Sequence, residues 1–379
     1  MSTKKKEENM STITETRTVK ISEATTLITR AFKKKRPVFL WGPPGIGKSE
    51  LVQGIGDSGE LGKTLVIDMR LALFEPTDLR GYPVPDVKSG VMKWLPPADL
   101  PSKEVAAQYD TVIVFLDEMN SAAPSVQAAG YQLILNRRIG QYELPDNVVM
   151  IAAGNRETDK GVTYRMPKPL ENRFVHFELR VDFQDWVNWA VLHDIHPDVV
   201  GYLSFAKGDL YNFDPASSSR GFATPRAWTF TSELLEDDAE DLSDGLQTDL
   251  VAGCVGEGVA VKFMAHRKIA GDLPDPVEVL DGKVKTMQST EISAKYALAT
   301  SMCYELRDRS IAGEKSGKMD KYHKSFSNML GFMMDNFETE MVIMASRVAM
   351  QQYKLVPKQD KIERFEEYFS RYGRLVLDA

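Results

Sequence analysis

The stretch that decides the fold is Gly42-Pro43-Pro44-Gly45-Ile46-Gly47-Lys48-Ser49. It has the pattern G-x-x-x-x-G-K-[ST], and it stands between the apolar run Val38-Phe39-Leu40-Trp41 and a segment with a helical pattern. Glycines in such a loop let backbone N–H groups turn onto phosphate oxygens, and the positive end of the following helix faces the same phosphates. The lysine reaches the β- and γ-phosphates, and the serine hydroxyl ligates Mg²⁺. The stretch predicts a Mg-ATP site contacted by Gly42, Pro43, Pro44, Gly45, Ile46, Gly47, Lys48, Ser49 and Glu50.

Further polar groups follow two apolar runs downstream of this loop. The run 112–116 leads directly into Asp117 and Glu118, and a later run leads through Gly154 to Asn155. Ligands of open α/β sheets sit at the carboxyl ends of the strands. Asp117 is predicted to hold Mg²⁺, and Glu118 to orient the attacking water. Asn155 is predicted to hydrogen-bond the γ-phosphate and that water. Taken alone, each pattern is common, and an Asn after a Gly is more often a turn residue. Because both patterns follow the glycine loop in this order, we interpret them as parts of the nucleotide site.

The apolar runs predict a parallel sheet covered by helices, because they are apolar on both faces. A helix is predicted over 21–35, and after Val181 the remaining segments read as helices separated by loops. The predicted strands are Val38–Trp41, Thr64–Ile67, Thr111–Leu116, Val148–Ala153 and Phe174–Leu179.

With these elements in this order, the chain resembles the AAA+ superfamily of ATPases, and more narrowly its MoxR group. The resemblance spans about residues 37–300. It rests on the glycine loop, Glu75-Pro76-Thr77-Asp78-Leu79-Arg80-Gly81, Asp117-Glu118-Met119-Asn120, Gly154-Asn155-Arg156-Glu157 and Leu170-Glu171-Asn172-Arg173-Phe174.

The resemblance implies an α/β AAA+ core with a parallel five-stranded sheet, followed by an α-helical lid and a C-terminal helical extension. The domains expected are a disordered lead-in over 1–20, a core over 21–181, a lid over 182–300 and the extension over 301–379. Hairpin insertions are expected at about 81–95 and 137–145.

The resemblance also implies a homo-oligomeric ring, usually of six subunits, with ATP at each interface. Arg173 would then act as a finger in the neighbouring subunit's site, and Arg226, in Thr224-Pro225-Arg226, would contact the γ-phosphate. Relatives of the MoxR group remodel protein targets, often with von Willebrand-type adaptors, so a protein client is expected.

Several alternatives stay open in the sequence. Arg165 stands where many MoxR relatives carry proline, and it is either a second interface arginine or a salt-bridging surface residue. Each hairpin either contacts substrate or is purely structural. A nucleic-acid motor is the second function considered, and a nucleotide-gated scaffold without turnover is the third.

Composition restricts these functions only loosely. The 379 residues carry a formal charge of −7, which argues weakly against a nucleic-acid partner without excluding one. The two cysteines form no CxxC pair, as suits a reducing interior. The N-terminus lacks the apolar core of a signal peptide, and no apolar run is long enough to span a bilayer. A cytoplasmic protein without membrane insertion is expected.

Overall fold

A computed structural model of the protein describes residues 17–159, 163–217, 219–235, 242–271, 273–289 and 291–377. Backbone contacts divide the chain into two compact units, Met1–Val181 and Asp182–Ala379. Of the predicted lead-in, residues 1–16 lie outside the described ranges.

The first unit is built around a parallel sheet whose strand order is β1-β10-β2-β9-β6-β3. Two antiparallel ribbons, β4-β5 and β7-β8, lie where the sequence predicts hairpins. The strands are β1 Thr18–Val19, β2 Val38–Trp41, β3 Thr64–Arg70, β4 Tyr82–Asp86, β5 Val91–Leu95, β6 Thr111–Asp117, β7 Arg138–Ile139, β8 Tyr142–Glu143, β9 Val148–Gly154 and β10 Val175–Leu179.

The sheet has six strands, one more than the five predicted. The extra strand, β1, pairs Thr18 with Glu178 and Val19 with Leu179 at the outer edge of β10. It lies within the stretch expected to be a disordered lead-in. Because β1 has only two residues, of which Val19 alone is buried, it leaves no periodic apolar pattern in the sequence.

Helices pack against this sheet, as a parallel sheet with buried strands requires. On one face, Phe39, Val114 and Leu116 pack with Leu79 and Leu133 from two of these helices. The helices of this unit are α1 Ile21–Phe32, α2 Lys48–Asp57, α3 Pro76–Arg80, α4 Lys103–Ala106, α5 Pro124–Asn136 and α6 Lys168–Glu171.

The first helix is shorter than predicted. It begins where the Glu23 carboxylate accepts the Lys20 amide at 3.1 Å, and it ends at Phe32 rather than Lys35. Lys35 has a left-handed φ of 51°, so the chain turns there into β2.

The described residues of the second unit form helices joined by loops and include no strand. Trp228, Tyr202 and Phe263 pack against one another in its core. Its helices are α7 Phe183–Leu192, α8 Pro197–Phe205, α9 Pro225–Leu234, α10 Asp244–Val255, α11 Glu257–Gly271, α12 Pro276–Leu280, α13 Ile292–Ser316, α14 Asp320–Asn336, α15 Thr339–Arg347, α16 Phe365–Tyr368 and α17 Arg374–Leu377.

The longest of these helices is α13, which packs against α8 and α14. It runs without a break through residue 300, so the predicted boundary between lid and extension falls inside it. Across the described ranges, no helix is both long and apolar enough to cross a membrane.

Candidate nucleotide site

The glycine loop connects β2 to α2 at the carboxyl edge of the sheet. Gly45 and Gly47 have φ values of 76° and 94°, in the left-handed region that favours glycine. A Cβ atom on Gly42 would meet Cδ1 of Ile46 at 2.5 Å, so the loop closes tightly on itself. Gly47 directly precedes α2, and the N-terminus of a helix that follows such a loop favours an anion. Glu50 lies exposed in the first turn of α2.

Lys48 links this loop to the neighbouring strand end. Its Nζ donates to the carbonyl oxygens of Gly42 at 2.7 Å and Pro43 at 3.0 Å. It also donates to Oδ1 of Asn155 at 3.1 Å. Asn155 follows β9, which lies beside β2 in the sheet, so the two predicted phosphate-binding side chains meet although they are far apart in sequence.

Ser49 and Asp117 form the second contact between predicted site residues. The Ser49 hydroxyl donates to Oδ2 of Asp117 at 3.1 Å, and Asp117 is buried at the end of β6. Hydroxyl and carboxylate oxygens are the hard donors that Mg²⁺ prefers. Burial raises the pKa of nearby Asp68 and the charge of Asp117 raises it further, while Arg70 lowers it. Ser49 and Asp117 therefore present oxygen donors that fit a Mg²⁺ site.

Glu118 stands next to that pair in a strained backbone conformation. Its φ is 53°, which is uncommon for a residue other than glycine, and strained residues of this kind cluster at active sites. Its amide donates to Oδ1 of Asp117 at 2.8 Å. The carboxylate is exposed and, among the described residues, has no hydrogen-bond or ion-pair partner. The strand end therefore directs one acid toward the Ser49 hydroxyl and leaves the other exposed to solvent.

Asn120 holds Asn155 in place, a role that the sequence did not reveal. Its Nδ2 donates to the Asn155 carbonyl at 2.7 Å, and its Oδ1 accepts from the Asn155 amide at 3.2 Å. Asn120 is only 2% exposed. Its side chain lies against Gly154, where a Cβ atom would approach Oδ1 of Asn120 to 2.2 Å. Glycine at 154 is thus required for this contact.

Arg156 anchors the loop that follows Asn155. Its guanidinium pairs with Asp159 at 2.9 Å and with Glu178 of β10 at 3.2 Å. Burial lowers the pKa of Arg156, but the hydrogen bonds and charges of these two carboxylates outweigh burial and raise it overall. The loop is thereby fastened to β10, two strands away from β9 in the sheet.

Arg173 lies at the opposite edge of the sheet from the glycine loop. It stands just before β10, which runs parallel to β2 with Val175 opposite Val38. In this register position 173 lies opposite position 36, about six residues before Gly42. At the rise of a strand, six residues correspond to a distance of about 20 Å along the strand direction. Arg173 is exposed, and its guanidinium has no hydrogen-bond or ion-pair partner among the described residues. The structure therefore does not bring Arg173 to its own chain's glycine loop.

The other two predicted arginines are also exposed. Arg165 follows Tyr164, whose amide donates to the Asn120 carbonyl at 2.7 Å. Arg226 occupies the first turn of α9 in the second unit, where the Thr224 hydroxyl caps the helix by accepting from the Ala227 amide at 3.0 Å. Neither arginine forms an ion pair within the described ranges.

The family model of the "ATPase family associated with various cellular activities (AAA)" matches residues 38–180. This segment contains the glycine loop, Asp117, Glu118, Asn155 and Arg173. The match and the sheet together confirm the predicted AAA+ P-loop fold of this segment, and they support the prediction of an ATP hydrolase. They do not resolve the MoxR group.

The individual proteins to which this chain is similar either match part of its sequence or have a low structural similarity to it. Midasin of Giardia intestinalis is 27% identical over 187 residues, which cover 46% of this chain and 4% of Midasin. The chain thus spans a small fraction of that relative. A proposed ATPase of Cytophaga hutchinsonii has a TM-score of 0.33 and 13% identity, covering 92% of this chain and 90% of its own. The Holliday junction branch migration motor RuvB of Thermotoga maritima has a TM-score of 0.34 and 16% identity, with coverages of 66% and 74%. Structural likeness at this level carries no argument about function.

Proposed function

We propose that the protein is a ring-forming ATPase of the MoxR type, which hydrolyses Mg-ATP in sites shared between neighbouring subunits and uses the energy to remodel a protein target. One observation carries the proposal. Lys48, Ser49, Asp117 and Asn155 meet at three adjacent strand ends, joined by the Lys48–Asn155 and Ser49–Asp117 hydrogen bonds.

In this site each side chain has a distinct task. The glycine loop and Lys48 bind the β- and γ-phosphates, and Ser49 with Asp117 would hold Mg²⁺, which neutralises phosphate charge when bound. Water attacks the γ-phosphorus, the bond from that phosphorus to the β,γ-bridging oxygen breaks, and ADP and phosphate leave. Glu118 orients the water and accepts its proton. Asn155, fixed by Asn120, hydrogen-bonds the γ-phosphate and the water.

Arg173 serves the neighbouring subunit in this proposal. Its separation of about 20 Å from its own glycine loop exceeds the reach of an arginine side chain, and its exposed guanidinium is available to another chain. An arginine supplied by a partner stabilises transition-state charge and raises the rate by about three to five orders of magnitude. We further propose that Arg226 contacts the γ-phosphate of its own or the adjacent chain, and that Arg165 is either a second interface arginine or a surface residue.

The β4-β5 hairpin supports a protein target over a nucleic acid. Tyr82, Val91 and Met92 are 61%, 55% and 54% exposed, so the ribbon presents apolar side chains. Its Lys93 is paired with Asp86 at 2.5 Å, which reduces the positive charge that the ribbon offers to a phosphate backbone. An exposed apolar ribbon suits contact with an extended polypeptide, and a von Willebrand-type adaptor would select the client.

The test is ATP turnover per subunit over a range of protein concentrations, with Glu118→Gln and Arg173→Ala beside the unaltered protein. Arg165→Ala is assayed with them, since a large loss of turnover would make Arg165 a second interface arginine and an unchanged turnover a surface residue. We expect turnover per subunit to rise with concentration as rings form. Glu118→Gln should abolish turnover while ATP still binds, and Arg173→Ala should lower it by at least a hundredfold. Concentration-independent turnover, with Arg173→Ala active, would show that the sites are not shared.

The same assay separates the two classes of target. Stimulation by an unfolded protein, with little effect of DNA, is expected for a protein remodeller. Stimulation by DNA with a steep dependence on salt would instead assign the protein to nucleic-acid motors.

A further inference from the structure

A row of aromatic rings runs along one face of the sheet from β2 to β10. Phe39 and Trp41 of β2 stack at 4.2 Å between ring centroids. Phe174 meets Phe39 edge-on at 5.3 Å, and His176 of β10 lies parallel to Trp41 at 6.1 Å. The row contains one ring with two polar atoms, that of His176.

Both ring nitrogens of His176 are hydrogen-bonded, and the partners fix the position of its proton. Trp41 Nε1 is a donor only and lies 2.9 Å from Nδ1, so Nδ1 must accept. The Glu171 carbonyl is an acceptor only and lies 2.6 Å from Nε2, so Nε2 must donate. His176 therefore joins two fixed partners through one oriented ring.

The Glu171 end of this bridge holds the turn that contains Arg173. The Glu171 carbonyl also accepts the Phe174 amide at 3.2 Å, and the Arg173 amide donates to Leu170 at 3.0 Å. Arg173 thus stands inside a tight turn whose closing carbonyl is bound by His176. A shift of that carbonyl moves the backbone of Arg173 with it.

The Trp41 end of the bridge lies at the nucleotide site. Trp41 is the last residue of β2, directly before Gly42, and its strand neighbour on the other side is Gly154. The bridge therefore links the residue before the glycine loop to the turn of Arg173 across the β2–β10 pair.

We propose that His176 is a positioning residue for the neighbouring subunit's site, because it holds the Arg173 turn against the strand that leads to its own chain's glycine loop. The inference rests on the proposed role of Arg173 as a residue supplied to that neighbour. His176→Phe keeps a ring in the aromatic row and removes both hydrogen bonds. It lowers kcat about tenfold through misplacement of Arg173, and it leaves KM for ATP unchanged because no contact to the bound nucleotide is lost.

Mixed rings test in which site His176 acts. Equal amounts of two variants are co-assembled and turnover is compared with the sum of the two assayed apart. A His176→Phe chain mixed with Glu118→Gln receives intact Arg173 residues from its neighbours, so we expect turnover about five times that sum. When the His176→Phe chain is mixed with Arg173→Ala, neither kind of chain supplies a correctly placed Arg173 to its neighbour. We therefore expect the turnover of this mixture to equal the sum of the two variants.

Other outcomes overturn the inference. Gain with Arg173→Ala and none with Glu118→Gln would place the effect of His176 in its own chain's site. No gain in either mixture would make His176 a residue of general stability only. Trp41→Phe is the matched variant, since it keeps the stack on Phe39 and removes the same bond. It should lower kcat to a similar degree, and combined with His176→Phe it should add little further loss. If the double variant lost kcat by the product of the two single losses, the Trp41–His176 hydrogen bond would have no part in positioning Arg173.

The control mixture isolates the proposed function from the inference. Glu118→Gln mixed with Arg173→Ala should regain about a quarter of the unaltered turnover, because one interface in four combines an intact site with an intact finger. If this mixture stays inactive, the shared site itself is wrong, whatever the His176 variants do.

Discussion

Gly154→Ala is the substitution for which the structure gives the sharpest expectation. Gly154 ends β9 without a positive φ, so alanine can adopt its backbone conformation. The effect of the substitution on stability therefore comes only from steric contacts of the added methyl group. The added Cβ would lie 2.2 Å from Oδ1 and 2.8 Å from Cγ of Asn120, and 3.0 Å from Cζ of Phe39. The Asn120 amide must therefore move by about 1 Å, since carbon–oxygen contacts below 3 Å are not tolerated.

That movement breaks the two hydrogen bonds between the Asn120 side chain and the Asn155 backbone. Each buried hydrogen bond contributes about 1 kcal/mol net, and forcing a methyl group into a packed site costs about 1–3 kcal/mol. Loss of unfolded-state freedom offsets about 0.5 kcal/mol. We expect Gly154→Ala to lower the free energy of unfolding by about 3 kcal/mol, a large part of the stability of an ordinary domain.

Urea unfolding followed by circular dichroism measures this change. The control is Gly54→Ala within α2, where an added Cβ meets nothing within 4 Å. It should raise stability by about 0.5–1 kcal/mol. Gly154→Ala should also lower ATP turnover more than ATP binding, because Asn155 loses its support.

The double variant Gly154→Ala/Asn120→Ala completes the cycle. Removing the Asn120 amide removes the atoms that the new methyl group meets, so the two changes should be less harmful together than their sum by about 1–2 kcal/mol. Additive effects, or a loss below 1 kcal/mol for Gly154→Ala alone, would refute the account of Asn120 as a tightly packed clamp.

Three further expectations concern single groups. Burial lowers the pKa of His266, against the opposing charge of Asp198, so this group reduces stability as pH falls below the ordinary histidine value of about 6.5. His266→Phe should therefore lose less of its urea midpoint between pH 7 and 5.5 than the unaltered protein, and an equal loss would exclude this cause. Burial raises the pKa of Cys303 and of Tyr304 to about 12 each. Both groups therefore stabilise the folded state fully at a pH below their pKa in the unfolded chain, and this stability is lost as pH rises from about 9 to 12. The urea midpoint should fall over that window, and a flat profile there would contradict it. Ser49→Ala should weaken ATP binding about tenfold in Mg²⁺ but little in excess chelator; equal weakening in both would remove Ser49 from the metal site.

Much of the nucleotide site was predictable because its residues mark strand ends. An apolar run followed by Asp117, and another followed by Asn155, each place one polar group at the carboxyl edge of a parallel sheet. The glycine loop adds the third strand end. Neighbouring strands then bring these groups together, as the Ser49–Asp117 and Lys48–Asn155 hydrogen bonds show.

The supporting residues could not be predicted in the same way. Asn120 acts on Asn155, 35 positions away, and Trp41 meets His176 across 135 positions. Such contacts depend on strand order and on side-chain direction at one register, and neither leaves a local pattern in the sequence. The two-residue β1 escaped prediction for a related reason, since its pairing with β10 and not its own composition makes it a strand.

The direction of the parallel strands also determines which residues of the chain can reach its own nucleotide site. The strands that supply ligand-binding residues carry them at one edge of the sheet, so a residue that precedes a strand stands about one strand length away from that edge. Arg173 precedes β10 and Asn155 follows β9, and no rotation of side chains brings the first to the phosphates bound beside the second. Arg173 therefore acts on a second chain or takes no part in the chemistry. The Arg173→Ala chains mixed with Glu118→Gln decide between these two possibilities, since only a residue that acts on a second chain can restore turnover to a partner that lacks it.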